Sequence, residues 1–233
     1  MSNLVGLYTL VDTCEQELGD PDLWFKPSGY PESLALCIVD SIYSTGAHYT
    51  QVVRIVDRYC KHRQAAGHDA YADSARDLLS SIDGAGGVEQ WAAEVAQNNR
   101  PTSTKAGAPL KAFAIAEAAR GLESLGVLTA EDLRTRAGSG NLDDVKRMWI
   151  AIPGQRSGIT WEYALMLAGI PGVKGDRMVT RYVARVLDVS TAEVGPELAA
   201  VYVKAVAAEK KWNVIHTDHA IWRLESGREI ATS

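Results

Sequence analysis

The stretch Trp149-IAIPGQRSGITWEYALMLAGIPGVKGDRMVTRYVARV-Leu187 decides the fold. A helix closes at Ile152, and Pro153-Gly154 forces a tight turn, because proline cannot continue the ladder and glycine accepts backbone angles that other residues resist. Gly158 relieves the backbone a second time. A new helix then opens near Thr160, with Tyr163, Ala164, Leu167 and Ala168 on one face. Two helices joined by a short glycine-bracketed turn make a helical hairpin. Glycines in such a turn let the backbone approach a phosphate, and the free amides of the second helix favour an anion there. Arg156 at the tip adds a charge-assisted contact. Taken alone, the same residues also describe a plain helix–turn–helix corner. Past the second helix, Gly169-Ile-Pro-Gly172 turns the chain again. Val173-Lys174-Gly175-Asp176 then leads into a helix that is apolar at Met178, Val179, Tyr182, Val183, Val186 and Leu187.

Working outward, the rest of the chain is also helical in pattern. Alternating β-branched runs are missing, and Ala-rich segments of 3.6-residue period recur. Ser33 leads into a helix apolar at Leu34, Leu36, Cys37, Ile38 and Ile42, which breaks at Ser44-Thr45-Gly46. A second runs from Ala47, its end loaded with Arg58, Lys61 and Arg63 to suit the negative helix pole. Tyr71–Ile82 and Leu110–Leu125 read as further helices, separated by an exposed connector over Gln97–Gly107. Thr129-Ala-Glu-Asp132 opens another with a capping box, and Asn141 is expected to cap the next. The expected fold is all-α, a single packed bundle of roughly ten short helices.

The stretch 149–187 resembles the helix-hairpin-helix DNA glycosylase superfamily (HhH-GPD), where a turn of the form L-P-G-x-G-x-x-T-A precedes an aspartate opening the following helix. Ile152-Pro153-Gly154, Gly158 and Thr160 correspond to the turn, and Asp176 falls at the aspartate. The resemblance implies a two-lobed, glycosylase-like domain over 1–233. One lobe would be about 30–125, and the other the N-terminal segment with 126–233. It further implies double-stranded DNA as partner, gripped by Gly154, Gln155, Arg156, Ser157, Gly158, Thr160 and Lys174. Asp176 would be the catalytic carboxylate in base-excision DNA repair, and Tyr43, His48 and Tyr49 would line a pocket for a flipped base. A monofunctional DNA N-glycosylase, a hydrolase without cofactor or metal, is the activity so implied. A DNA-binding module that kept the fold without turnover, or a scaffold that no longer touches DNA, is the alternative.

Two departures bear on the chemistry. Three residues separate the hairpin glycines where the family has one. Ile159 stands where strand-cleaving members carry a lysine nucleophile, so no amine is at the usual place for Schiff-base chemistry. Lys174 is the only nearby substitute, and otherwise a solvated lysine. Asp176 has two readings, an N-cap or a carboxylate facing the scissile bond. Tyr43 and Tyr49 read equally as core. Trp24 and Phe25 form an aromatic loop that is either lid or plug. His216, Asp218 and His219 are read as capping and packing beside Trp222, with no fourth ligand near enough for zinc.

Composition sets the outer bounds. Hydrophobic residues at 46% and charged residues at 23% are ordinary for a soluble globular chain. The net charge of −5 counts against bulk electrostatic coating of nucleic acid but leaves room for a local basic face. No apolar run reaches the length of a membrane span, and the N-terminus lacks a basic leader. Cys14, Cys37 and Cys60 fit free thiols of a cytoplasmic protein, and three thiols cannot hold an iron–sulfur cluster.

Overall fold

A computed structural model describes residues 4–231. Among them the chain is all-α, with no strand and only two isolated bridges, Trp24 with Ala231 and Pro101 with Leu110. The helices are Leu7–Leu18 (α1), Leu34–Tyr43 (α2), Tyr49–Ala65 (α3), Ala75–Gly84 (α4), Val88–Gln90 (α5), Lys111–Ser124 (α6), Ala130–Gly138 (α7), Asp143–Ala151 (α8), Ile159–Leu167 (α9), Arg177–Leu187 (α10), Thr191–Lys210 (α11) and Val214–Glu225 (α12). None of these helices is long and apolar enough to cross a membrane. The chain divides into two compact units. One is Gly29–Ile170; the other joins the chain up to Ser28 with the chain from Pro171 onward.

The Gly29–Ile170 unit is built around α2, all ten residues of which are buried. A helix apolar on every side has to be a core axis, and α3, α4, α6 and α9 surround it. Ser33 starts it: its Oγ accepts the Leu36 amide at 3.2 Å and donates to the Ala70 carbonyl at 2.7 Å. Lys111 closes it, its buried ammonium donating to the carbonyls of Tyr43, at 3.1 Å, and Thr45. Burial lowers that amine to about 8. Capping boxes open α4 (Ser74 with Asp77) and α7 (Thr129 with Asp132), the second as its sequence predicts. Arg63 and Asp73 form a buried two-point ion pair, with bonds of 2.7 and 2.9 Å, and the Tyr59 hydroxyl adds a third bond to Asp73 at 2.7 Å.

Three expectations fail within this unit. The lobe border drawn near residue 125 lies instead at Ile170. The reason is packing: Leu133, Val145, Trp149 and Trp161 enter the same apolar cluster as Leu36 and Ile115, because α2 offers buried surface on every side. Asn141 does not cap α8. The turn of α8 begins after Leu142, and Asp143 and Asp144 supply the negative charge that a helix N-terminus favours. Tyr71 belongs to a single 3₁₀ turn over Ala70–Ala72, and α4 begins only after Ser74.

The other unit packs α1, α10, α11 and α12 around Leu10, Cys14, Tyr182, Val203 and Ile221. Trp24 lies at its base, donating its indole N–H to the Leu18 carbonyl at 2.7 Å and meeting Trp212 edge-on at 5.0 Å between centroids. Trp24 is thus a plug, while Phe25 beside it stays 38% exposed. The Phe25 amide bonds to the Ile230 carbonyl at 2.8 Å, tying this loop to the C-terminal tail. A kink at Gly195-Pro196 divides α11.

Candidate functional site

The α8–α9 turn has the backbone its sequence predicts. Gly154 and Gly158 sit at φ 82° and 73°, in the left-handed region. A Cβ on Gly154 would lie 2.8 Å from the Thr102 Cβ, so the 97–107 connector closes over this side of the turn. Gly158 begins α9 with no side-chain cap. Arg156 and Ser157 are exposed at the tip, and the Ser157 Oγ accepts the Ile159 amide at 3.4 Å. Gln155 and Thr160, read as phosphate contacts, turn inward instead. Both are buried, and the Thr160 hydroxyl donates to the Gln155 side-chain oxygen at 2.6 Å while accepting the Trp149 indole N–H at 3.0 Å. The two residues brace the corner from within because the buried indole needs an acceptor. Glu162 adds an acid to the first turn of α9. Arg156, Ser157 and the turn backbone are what this corner leaves for an anion.

Asp176 is the N-cap of α10. Its Oδ1 accepts the amides of Met178 and Val179 at 2.8 and 3.2 Å, so the capping half of its dual reading is realised. The sequence reading set the residue beside it, Asp218, aside as capping or packing. Asp218 does not cap α12, since Asn213 does, accepting the Ile215 and His216 amides. Asp218 is buried within α12, and its Oδ1 accepts the Lys174 amide at 3.1 Å. Burial first, and then the negative charge of Asp176, hold its carboxyl well above the usual carboxylate range. The loop before α10 and the first turns of α12 thus bring two carboxyls together, one held toward its protonated form. Lys174 is half-buried at the same loop. The signal that could have found Asp218 is its spacing. With Val214, Thr217 and Ile221 it falls at i, i+3, i+4 and i+7 on a stripe that turns inward, where an unexplained acid is out of place.

The expected base pocket does not assemble as drawn. Tyr43 is core, its hydroxyl reaching the Asn98 carbonyl at 3.3 Å, because α2 has no outward face. His48 is exposed and precedes α3 without capping it by its side chain. Tyr49 is 39% exposed. Near it, the Tyr30 hydroxyl donates to the buried Asp40 at 3.0 Å, and burial first, then the same carboxylate, raises the Tyr163 phenol. Among the described residues no three His, Cys, Asp or Glu side chains converge as a metal site. Cys14 and Cys37 are buried free thiols, and Cys60 is half-buried.

A family model described as a domain of unknown function, DUF8548, matches residues 8–226. No curated protein and no solved structure matches the chain.

Proposed function

We propose, for a chain that belongs to the DUF8548 family and takes no activity from that family's description, that it binds duplex DNA with a glycosylase-like, two-lobed helix-hairpin-helix architecture and hydrolyses the N-glycosidic bond of a damaged or modified base. The observation that carries this reading is the Asp176–Asp218 pair. Two neighbouring carboxyls, one of them held toward its protonated form, are the equipment of sugar hydrolysis. Asp176, at the mouth of α10, supplies negative charge to an oxocarbenium-like sugar. Asp218, which burial and the charge of Asp176 hold toward its protonated form, retains its proton. The C1′–N bond breaks with its electron pair going to the base, which takes that proton. Water forms the new C1′–O bond and returns a proton to the pair. Asp218 also positions Asp176, because its bond to the Lys174 amide fixes the loop. The left-handed glycines of the α8–α9 turn and the exposed Arg156 support a backbone grip. Ile159, which opens α9, supports base release without strand cleavage.

The test is a panel of duplex oligonucleotides carrying single lesions, developed with alkali to reveal abasic sites. The unaltered chain should release a base from at least one lesion, and borohydride should trap no covalent adduct. Asp176→Asn retains the cap, since Asn caps about as well as Asp. It should fold normally yet lose excision by about a hundredfold, the size of a lost transition-state charge interaction. Full excision by the folded Asn variant overturns Asp176's role. One observation favours the non-catalytic DNA-binding reading: Oδ1 of Asp176 is already engaged by two amides. Lesion-independent binding without base release would establish it.

A further inference from the structure

Arg228, Trp222, His219, Phe25 and Arg223 form one continuous stack on the unit that contains α12. The Arg228 guanidinium lies 4.6 Å from the Trp222 ring centroid. The Trp222 and His219 rings follow at 5.6 Å and 21°, and His219 and Phe25 meet at 5.4 Å with their planes tilted by 38°. Arg223 closes the far end 4.7 Å from the Phe25 ring. His219, Trp222 and Arg223 stand at i, i+3 and i+4 on α12, so a single helical face presents three of the five layers.

The two guanidiniums are held by neutral acceptors. Arg223 donates through Nε to the Glu229 carbonyl, and Arg228 through Nη1 to the Ser226 hydroxyl at 2.8 Å. Among the described residues, neither makes an ion pair, nor does the exposed Lys26 that follows Phe25 in the chain, whereas Arg76, Arg120, Arg134, Arg136, Arg181 and Arg185 all do. The local potential registers on His219. Burial, and then Arg223, His216, Arg228 and Lys174, lower its imidazole to about 4. Its Nε2 is buried without a hydrogen-bond partner.

A guanidinium laid flat on an aromatic ring keeps its N–H edge for a planar pair of acceptor oxygens, and phosphate fits that fork. Alternation of aromatic rings and arginines is also how nucleic acid is held without sequence preference. We infer that this stack is a nucleic-acid contact surface, with backbone phosphates seated on Arg223 and Arg228 and a further charge contact from Lys26. The inference rests on the DNA-binding reading above for the nature of its ligand, but on none of the residues that reading uses.

The test measures the affinity of the whole chain for a short fluorescein-labelled DNA duplex across a salt series. Each phosphate contact removed lowers the slope of log affinity against log salt by about one. The double variant Arg223→Gln/Arg228→Gln should therefore lose about two from the slope and bind at least tenfold more weakly at low salt. Arg76→Gln/Arg120→Gln, which removes two ion-paired cations elsewhere, should leave the slope unchanged. Lys26→Glu guards against misfolding of the double variant, because Lys26 is exposed. It should fold normally and lower both affinity and slope. An unchanged slope in the folded Arg223/Arg228 variant, or in Lys26→Glu if the double variant fails to fold, overturns the inference while leaving the hairpin grip standing. An equal loss in the Arg76/Arg120 control does the same. Loss of base excision in Asp176→Asn with normal slopes bears only on the carboxyl pair. Failure of the unaltered chain to bind DNA at all overturns both readings.

Discussion

His219 offers the most direct measurement of the α12 surroundings. The folded chain holds its imidazole at about 4 against an ordinary 6.5, burial being the larger cause and nearby cations the smaller. Between those two values the unfolded chain binds a proton that the folded chain refuses. Stability from this residue is therefore fully present above pH 6.5, falls as pH drops through the window, and is gone below about 4. At about 1.4 kcal/mol per pH unit, the interval corresponds to about 3 kcal/mol. His219→Phe removes the titration while keeping a flat ring between Phe25 and Trp222. It loses no hydrogen bond at the buried Nε2, which has none. Urea denaturation of both proteins at intervals from pH 7.5 to 4 gives two stability curves whose difference isolates His219. The unaltered chain should lose about 3 kcal/mol more than the variant across the window, with most of the divergence below pH 6.5. Parallel curves would refute the claim that the ring is buried against like charge.

Two further predictions follow from close contacts. Asp73→Ala leaves a buried guanidinium with only its longer 3.8 Å contact to Asp77 and removes the acceptor of the Tyr59 hydroxyl, and should cost about 3 kcal/mol by chemical denaturation; a loss under about 1 kcal/mol would show the pair to be replaceable by Asp77 and solvent. Gly175→Ala would put a Cβ 2.2 Å from the Pro196 carbonyl oxygen at the α11 kink, so it should destabilise by about 1–3 kcal/mol instead of giving the usual gain from a stiffer unfolded chain, and a raised melting temperature would contradict that contact.

Much of the fold was legible because helix ends are local. Ser33 before Leu34, Thr129 with Asp132, and the Ser44–Gly46 break each satisfy or interrupt backbone amides within one turn, and the structure has helix boundaries at all three. What could not be read locally depended on partners distant in sequence. The π-helical turn Trp91–Val95 is held where Trp91 is buried and its indole reaches Ser81 at 3.2 Å. The lobe border was misplaced for the same reason. An amphipathic pattern says that α7, α8 and α9 each bury a face, but not which neighbour receives it.

The candidate site follows the same division. Asp176 was visible because a cap announces itself within three residues, and that same visibility left its chemistry ambiguous. Asp218 was read as a cap or packing residue, and its place beside Asp176 was missed, because its defining bond is to the amide of Lys174, far back in the chain, and Asn213 already caps its helix. The 3.6-residue period of α12 links the two features that sequence reading set aside as capping and packing. One stripe, Thr217, Asp218 and Ile221, turns a carboxyl inward toward the α10 N-terminus. The adjacent stripe, His219, Trp222 and Arg223, builds the stack. Burying an acid on one face raises its proton affinity, and gathering cations beside the other lowers that of His219. A single helix thus perturbs two titratable neighbours in opposite directions, each toward its neutral form, a pattern that purely structural helices seldom need and that functional sites often show.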